Sequence, residues 1–83
     1  MEKSIYSREY GAVTRLLRSS RAEAGITQVE LAETLGQSKS FVSKCERGER
    51  RLDIVQLRTV CNALGRSLPE FVSRLERALR SRK

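Results

Sequence analysis

The sequence contains no histidine and no tryptophan, and its 83 residues include only two cysteines, one proline, two tyrosines and two phenylalanines. Without histidine, the common mixed ligand sets of zinc sites cannot be assembled. Cys45 and Cys61 form neither a CxxC pair nor part of a dense framework, so they read as reduced, buried thiols that pack as small hydrophobes. No apolar run approaches the roughly 18 residues needed to span a bilayer. The N-terminal segment MEKSIYSREYG has no signal-peptide core, and a cytoplasmic location is the expectation. There is no glycine-rich phosphate loop, and no nucleophile has a plausible base beside it. No enzyme, cofactor or metal site is expected. No segment shows the alternation and β-branched enrichment of a strand.

Basic residues are abundant. Seventeen Lys and Arg stand against ten Asp and Glu, a formal net charge of +7. Such a surface attracts polyanions and speeds their encounter, but charge alone does not choose between nucleic acid and an anionic membrane. The length suits one domain with one modest core, and no second domain is expected within these 83 residues.

Glycines and capping residues divide the chain into short helices. The first is expected from Ser7 to Ala24, with Tyr10, Val13, Leu16, Leu17 and Ala24 inward and Gly25 as its stop. Thr27 and Glu30 form a capping box that opens the second helix, which ends at Gly36. Ser38 caps the third, which ends before Gly48. Asp53, with Gln56 three residues on, opens the fourth, which stops at Gly65. Ser67 and Glu70 form a further box for the fifth, with Pro69 in the first turn, where its missing N–H costs nothing. That helix runs towards Leu79. The fold class is therefore all-α with five helices.

The informative stretch is TQVELAETLGQSKSFVSKCERGER, Thr27 to Arg50. Two short helices meet at Gly36, Ala32 is small where the helices must approach, and Leu31, Leu35, Val42 and Cys45 would pin them together. This pattern is that of a helix-turn-helix. At about 100° per residue, Val42 and Cys45 point inward in the third helix. Ser40, Ser43, Lys44 and Arg47 fall on the opposite face, with Lys39 on its rim. This outward stripe is short, polar and cationic and contains no carboxylate. A DNA major groove admits one such helix, Lys can donate to guanine O6 and N7, and Ser can meet several base edges. On an arbitrary helix the stripe would be no more than a solvated face. Its place on the second helix of a helix-turn-helix, followed by Arg47-Gly48-Glu49-Arg50-Arg51, favours DNA instead.

The runs Arg21…Gly25-Ile26-Thr27-Gln28…Leu31-Ala32…Leu35-Gly36 and Ser40-Phe41-Val42-Ser43-Lys44-Cys45-Glu46-Arg47-Gly48 resemble the phage-repressor and Cro type of helix-turn-helix domain, the XRE family. The resemblance spans roughly Val13 to Leu79. It implies a compact lambda-repressor-like bundle whose second and third helices form the reading unit. It also implies that Gln28 touches phosphate or anchors the recognition helix, and that Lys39, Ser40, Ser43 and Lys44 read bases. Arg47 and Arg50 would contact the DNA backbone, and Arg21 and Glu46 would form an internal salt bridge. Ser20 departs from the family by replacing an apolar residue, and Cys45 by replacing a larger one. Phe41 could pack inside or touch a thymine methyl, and packing is favoured.

The expected function is transcriptional regulation by sequence-specific binding of double-stranded DNA, as a repressor and a homodimer on a palindromic operator. Val55 and Val60 lie off an inward stripe of Ile54, Leu57, Cys61 and Leu64, and Phe71 lies beside the stripe of Leu68, Val72, Leu75 and Leu79. These leftover apolar residues are the candidate dimer contacts. The last helix could instead meet a membrane surface, but a core needs that face. Members of the family in toxin–antitoxin modules also bind a partner protein, and others are controllers of restriction–modification systems. An antitoxin or a controller is therefore the alternative. One domain is expected over residues 1–83, with a core from about 8 to 79 and a basic tail from 80 to 83.

Overall fold

A computed structural model describes residues 2–81, with side chains described from Arg8 to Ser81. It contains five helices and, among the described residues, no strand: α1 (Glu2–Ala24), α2 (Gln28–Leu35), α3 (Lys39–Arg47), α4 (Ile54–Ala63) and α5 (Leu68–Arg80). The end of the expected basic tail, residues 82–83, lies outside the described residues.

Local chemistry sets most of these boundaries. The Thr27 hydroxyl accepts the Glu30 N–H while the Glu30 carboxylate accepts the Thr27 N–H, at 3.1 and 2.9 Å. Asp53 and Gln56 make the same reciprocal pair at the start of α4, at 2.7 and 3.0 Å. Each pair satisfies amides that a helix start leaves without partners. Only half of the box expected at α5 forms. Ser67 accepts the Glu70 N–H, and the exposed Glu70 side chain returns no bond to the cap. Gly36 takes φ 67° between α2 and α3, a left-handed conformation that only glycine adopts at little cost. Its N–H turns back onto the Ala32 and Glu33 carbonyls.

The first helix begins earlier than expected, at Glu2 rather than Ser7. Neither glycine nor proline occurs before Gly11, so nothing obliges the helix to start at the serine.

The core gathers Leu17 of α1, Leu31 and Ala32 of α2, Val42 of α3, Val60, Cys61 and Leu64 of the α4 end, and Phe71 of α5. Two of the three expected leftover residues, Val60 and Phe71, are buried at 7% and 1% exposure and only Val55 is exposed, whereas Ile54 and Val72, expected inward, are exposed. The reason is rotational. In α4, Ile54 and Val60 sit on opposite edges of one apolar stripe, as Val72 and Phe71 do in α5. The neighbouring helices cover the Val60 and Phe71 edges, a choice that periodicity within one helix does not make. Ala24, also expected inward, is exposed at the end of α1. Phe41 is half-buried and packs against the core. Cys45 and Cys61 are free, buried thiols whose pKa values burial raises, so both stay protonated at neutral pH.

At the surface, Glu23 near the end of α1 accepts hydrogen bonds from Arg66 and Arg74, joining α1 to the α4–α5 turn and to α5. The hydrogen bond from Arg74, aided by both positive charges, holds its carboxyl below the usual carboxylate range.

Ser20 is fully buried, and its hydroxyl has no hydrogen-bond partner. A buried unsatisfied hydroxyl costs about 1–3 kcal/mol. Ser20→Ala should therefore raise the urea midpoint at an unchanged m-value, by about 1 kcal/mol or more of stability. A lower midpoint would show that the hydroxyl is satisfied.

Candidate nucleic-acid interface

The third helix is held from behind by a buried carboxylate. Glu46 is 4% exposed, and a charge so buried must be paired and hydrogen-bonded to be tolerated. Arg21 of α1 meets it with both prongs of the guanidinium, Nε to Oε2 at 2.6 Å and Nη2 to Oε1 at 3.1 Å. Gln28 of α2 donates to Oε1 at 3.0 Å. Arg21 Nη1 also donates to the Ile26 carbonyl at 2.9 Å, and Arg18 Nη1 to the Glu46 carbonyl at 3.2 Å. The expected Arg21–Glu46 bridge is thus present and extended. Of the two roles implied for Gln28, its amide group is engaged in the anchoring one.

The opposite face of α3 is open. Lys39, Ser40, Lys44 and Arg47 are exposed and Ser43 is half-buried. The stripe keeps its predicted order because the Ser38 hydroxyl caps α3 on the Phe41 N–H at 3.1 Å, and Gly48 ends it at φ 80°. Within the face there is no carboxylate, but one reaches it from the following turn. Glu49 accepts Arg47 Nε at 3.0 Å and Nη2 at 3.2 Å, and Arg47 Nη1 donates to the Ser43 hydroxyl. The hydrogen bond from Arg47 holds the Glu49 carboxyl below its ordinary value, and the same bond raises the pKa of Arg47.

The arginines beyond α3 have aromatic partners. Arg50 lies over the Phe41 ring, 5.0 Å from its centre, and Arg51 lies over the Tyr10 ring at 4.3 Å. The Tyr10 hydroxyl accepts the Leu52 N–H at 3.1 Å. Tyr10 and Glu49 have no role in the sequence-derived site, and Arg51 enters it only as part of the basic run after α3. No local pattern marks Tyr10, because the fold alone brings α1 against this loop. Glu49 could have been noticed from its place two residues after Arg47.

Among the described residues, no three metal-ligating side chains converge, and no helix is long and apolar enough to cross a membrane.

A helix-turn-helix family model matches residues 17–71, which contain α2, α3 and α4 entire. An XRE-family-like protein from Pseudomonas syringae pv. tomato is 43% identical, with a TM-score of 0.85 over 93% of this chain and 94% of that one. The chain belongs to the XRE family. An uncharacterised HTH-type transcriptional regulator of Methanothermobacter thermautotrophicus is 35% identical over 51 residues, which are 61% of this chain and 74% of that protein. A mutant of the restriction–modification controller protein C.Esp1396I is 27% identical, with a TM-score of 0.82 over 90% of this chain and 95% of that one. The XRE fold here is thus a DNA-binding domain of the transcriptional-regulator type, not an enzyme.

Removing one partner of a buried ion pair strands the other, at about 3–5 kcal/mol. Arg21→Ala should lower the melting temperature by roughly 12 °C or more, at about 4–8 °C per kcal/mol for a domain of this size. Glu46→Gln, which keeps the shape and removes the charge, should cost less. Equal, small losses in thermal scans of the two variants would show that the carboxylate is solvated in solution.

Proposed function

We propose that the chain is a cytoplasmic repressor that binds a palindromic operator as a symmetric homodimer, with residues 1–83 acting as one DNA-binding domain. Lys39, Ser40, Ser43 and Lys44 meet base edges, and Arg47 and Arg50 meet the DNA backbone. Gln28, while holding Glu46, sits at the helix start where phosphate passes. The observation that carries this reading is the outward face of α3, which holds Lys39, Ser40, Ser43, Lys44 and Arg47 and no acidic residue of its own, fixed from behind by the Glu46 network. A freely wobbling helix would present the same charges but no register, and base reading needs register.

Selection from a random duplex library tests the proposal directly, and recovery of a palindrome is the expected result. On the selected site, Lys44→Ala should relax preference at one or two base pairs, by about 1–3 kcal/mol for a good bidentate contact. Arg50→Ala should weaken all sequences nearly equally. The assignment of roles fails if Arg50→Ala alters the preferred sequence while Lys44→Ala does not.

One module reads few base pairs, and two-fold symmetry places two recognition helices about 34 Å apart in successive major grooves. With Val60 and Phe71 in the core, the contact surface is assigned to Ile54 and Val55, which are 61% and 69% exposed at the start of α4. Val55→Glu should leave the helical content and melting temperature nearly unchanged and shift sedimentation at micromolar concentration from dimer to monomer. A parent protein that sediments as a monomer both with and without the palindrome would exclude the dimer.

The likeness to a restriction–modification controller supports a second reading, a controller of such a system. Methyltransferase and endonuclease genes beside this one would favour it, and a toxin gene there would favour an antitoxin.

A further inference from the structure

The recess between α1 and the loop after α3 is lined by Tyr10, Gly11, Thr14, Arg47, Gly48 and Arg51. Two arginines therefore line one small, open, polar space. They are in different states. Arg47 is held by Glu49. Arg51 pairs with no carboxylate among the described residues and instead lies over the Tyr10 ring, its guanidinium carbon 4.3 Å from the ring centre. The contact with the ring uses up no oxygen acceptor, and no N–H of this guanidinium donates to another atom among the described residues, so its donors remain available to a ligand. The ring also removes much of the rotational freedom that an exposed arginine would otherwise lose on meeting a ligand. Tyr10 is itself fixed, since its hydroxyl accepts the Leu52 N–H at 3.1 Å. Arg47 belongs both to this recess and to the outward face of α3, so the recess continues that face towards α1.

We propose that this recess is a phosphodiester site, in which Arg51 donates to one backbone phosphate of bound DNA and Tyr10 is the positioning residue that holds Arg51 in place. The proposal rests on the reading that α3 meets DNA, and it adds two residues which that reading does not contain. A phosphate here fixes the α1 end of the domain against the duplex and carries no base information. Tyr10 acts through Arg51 and touches no DNA.

The test measures affinity for a mixed-sequence DNA duplex over a range of salt concentrations, with every variant checked for parental helical signal. Arg51→Gln should reduce the slope of log affinity against log salt by about 0.9, the value for one lost phosphate contact. Tyr10→Leu should weaken binding about two- to fivefold, as loss of an exposed cation–π contact allows, and Tyr10→Phe should bind close to the parent. In the Arg51→Gln background, Tyr10→Leu should have no further effect. An unchanged salt slope for Arg51→Gln in a parent that binds DNA overturns the phosphate site. Equal weakening by Tyr10→Leu with and without Arg51 overturns the positioning role. A parent that binds no duplex overturns the reading of α3, and the phosphate site with it.

Discussion

The orientation of α3 depends on one buried carboxylate. Glu46 cannot stay charged inside the bundle without partners, and it takes them from α1 through Arg21 and from the start of α2 through Gln28. An apolar residue at this position would pack as well, and exchanges of buried ion pairs for apolar groups are often neutral or stabilising. What an apolar contact lacks is direction. A two-pronged guanidinium–carboxylate pair has one good geometry, so it fixes the rotation of α3 about its own axis as well as its distance from α1. The rotation decides which side chains face outward. The exposed stripe from Lys39 to Arg47 is therefore a consequence of a contact on the far side of the helix.

The net charge of +7 is unevenly available. Arg21 serves the interior. Arg66 and Arg74 are committed to Glu23 and tie α5 to α1. Arg47 is shared between Glu49 and Ser43. Lys39 and Lys44 on α3 have no carboxylate partner among the described residues, and Arg50 and Arg51 have aromatic rings instead of acids. The cations without acid partners around the helix-turn-helix thus lie on the outward face of α3 and in the turn after it. An ion pair opposes capture by an external anion because the internal carboxylate must first be displaced, whereas a cation–π contact leaves no competing negative charge beside the guanidinium. Total charge does not register that difference.

Much of this architecture was legible in the sequence because its signals are local. Thr27, Ser38, Asp53 and Ser67 each cap a helix within three residues of themselves, and Gly36 and Gly48 mark ends that need a left-handed backbone. The inward pair Val42 and Cys45 and the outward stripe follow from one rotation angle within one short helix. The failures share the opposite property. Whether Ile54 or Val60 faces the core depends on which side of α4 its neighbours cover, and Phe71 against Val72 poses the same question in α5. The contact of Tyr10 with Arg51 and Leu52 joins parts of the chain about forty residues apart, and no spacing rule carries information over that distance. The Arg21–Glu46 pair spans 25 residues, also beyond any spacing rule, and only the family resemblance implies it.

The loop from Gly48 to Asp53 joins two surfaces that the proposed function uses together. At its start Gly48 ends α3. In its middle Arg50 and Arg51 lie on Phe41 and Tyr10. At its end the Leu52 N–H is held by Tyr10, and Asp53 caps α4, immediately before exposed Ile54 and Val55. This short loop is therefore held at both ends and at two rings. In the proposed site, lysine and serine on α3 lack the fixed fork with which arginine makes a bidentate contact, so a single module of this kind would have little selectivity of its own. In the proposed dimer, a partner seated on Ile54 and Val55 fixes the loop that carries the phosphate contacts, and those contacts fix the approach of α3 to the groove. In that proposal selectivity comes from requiring two modest readers to be in register at once, and this one loop lies between the contact surface and the reading helix of each.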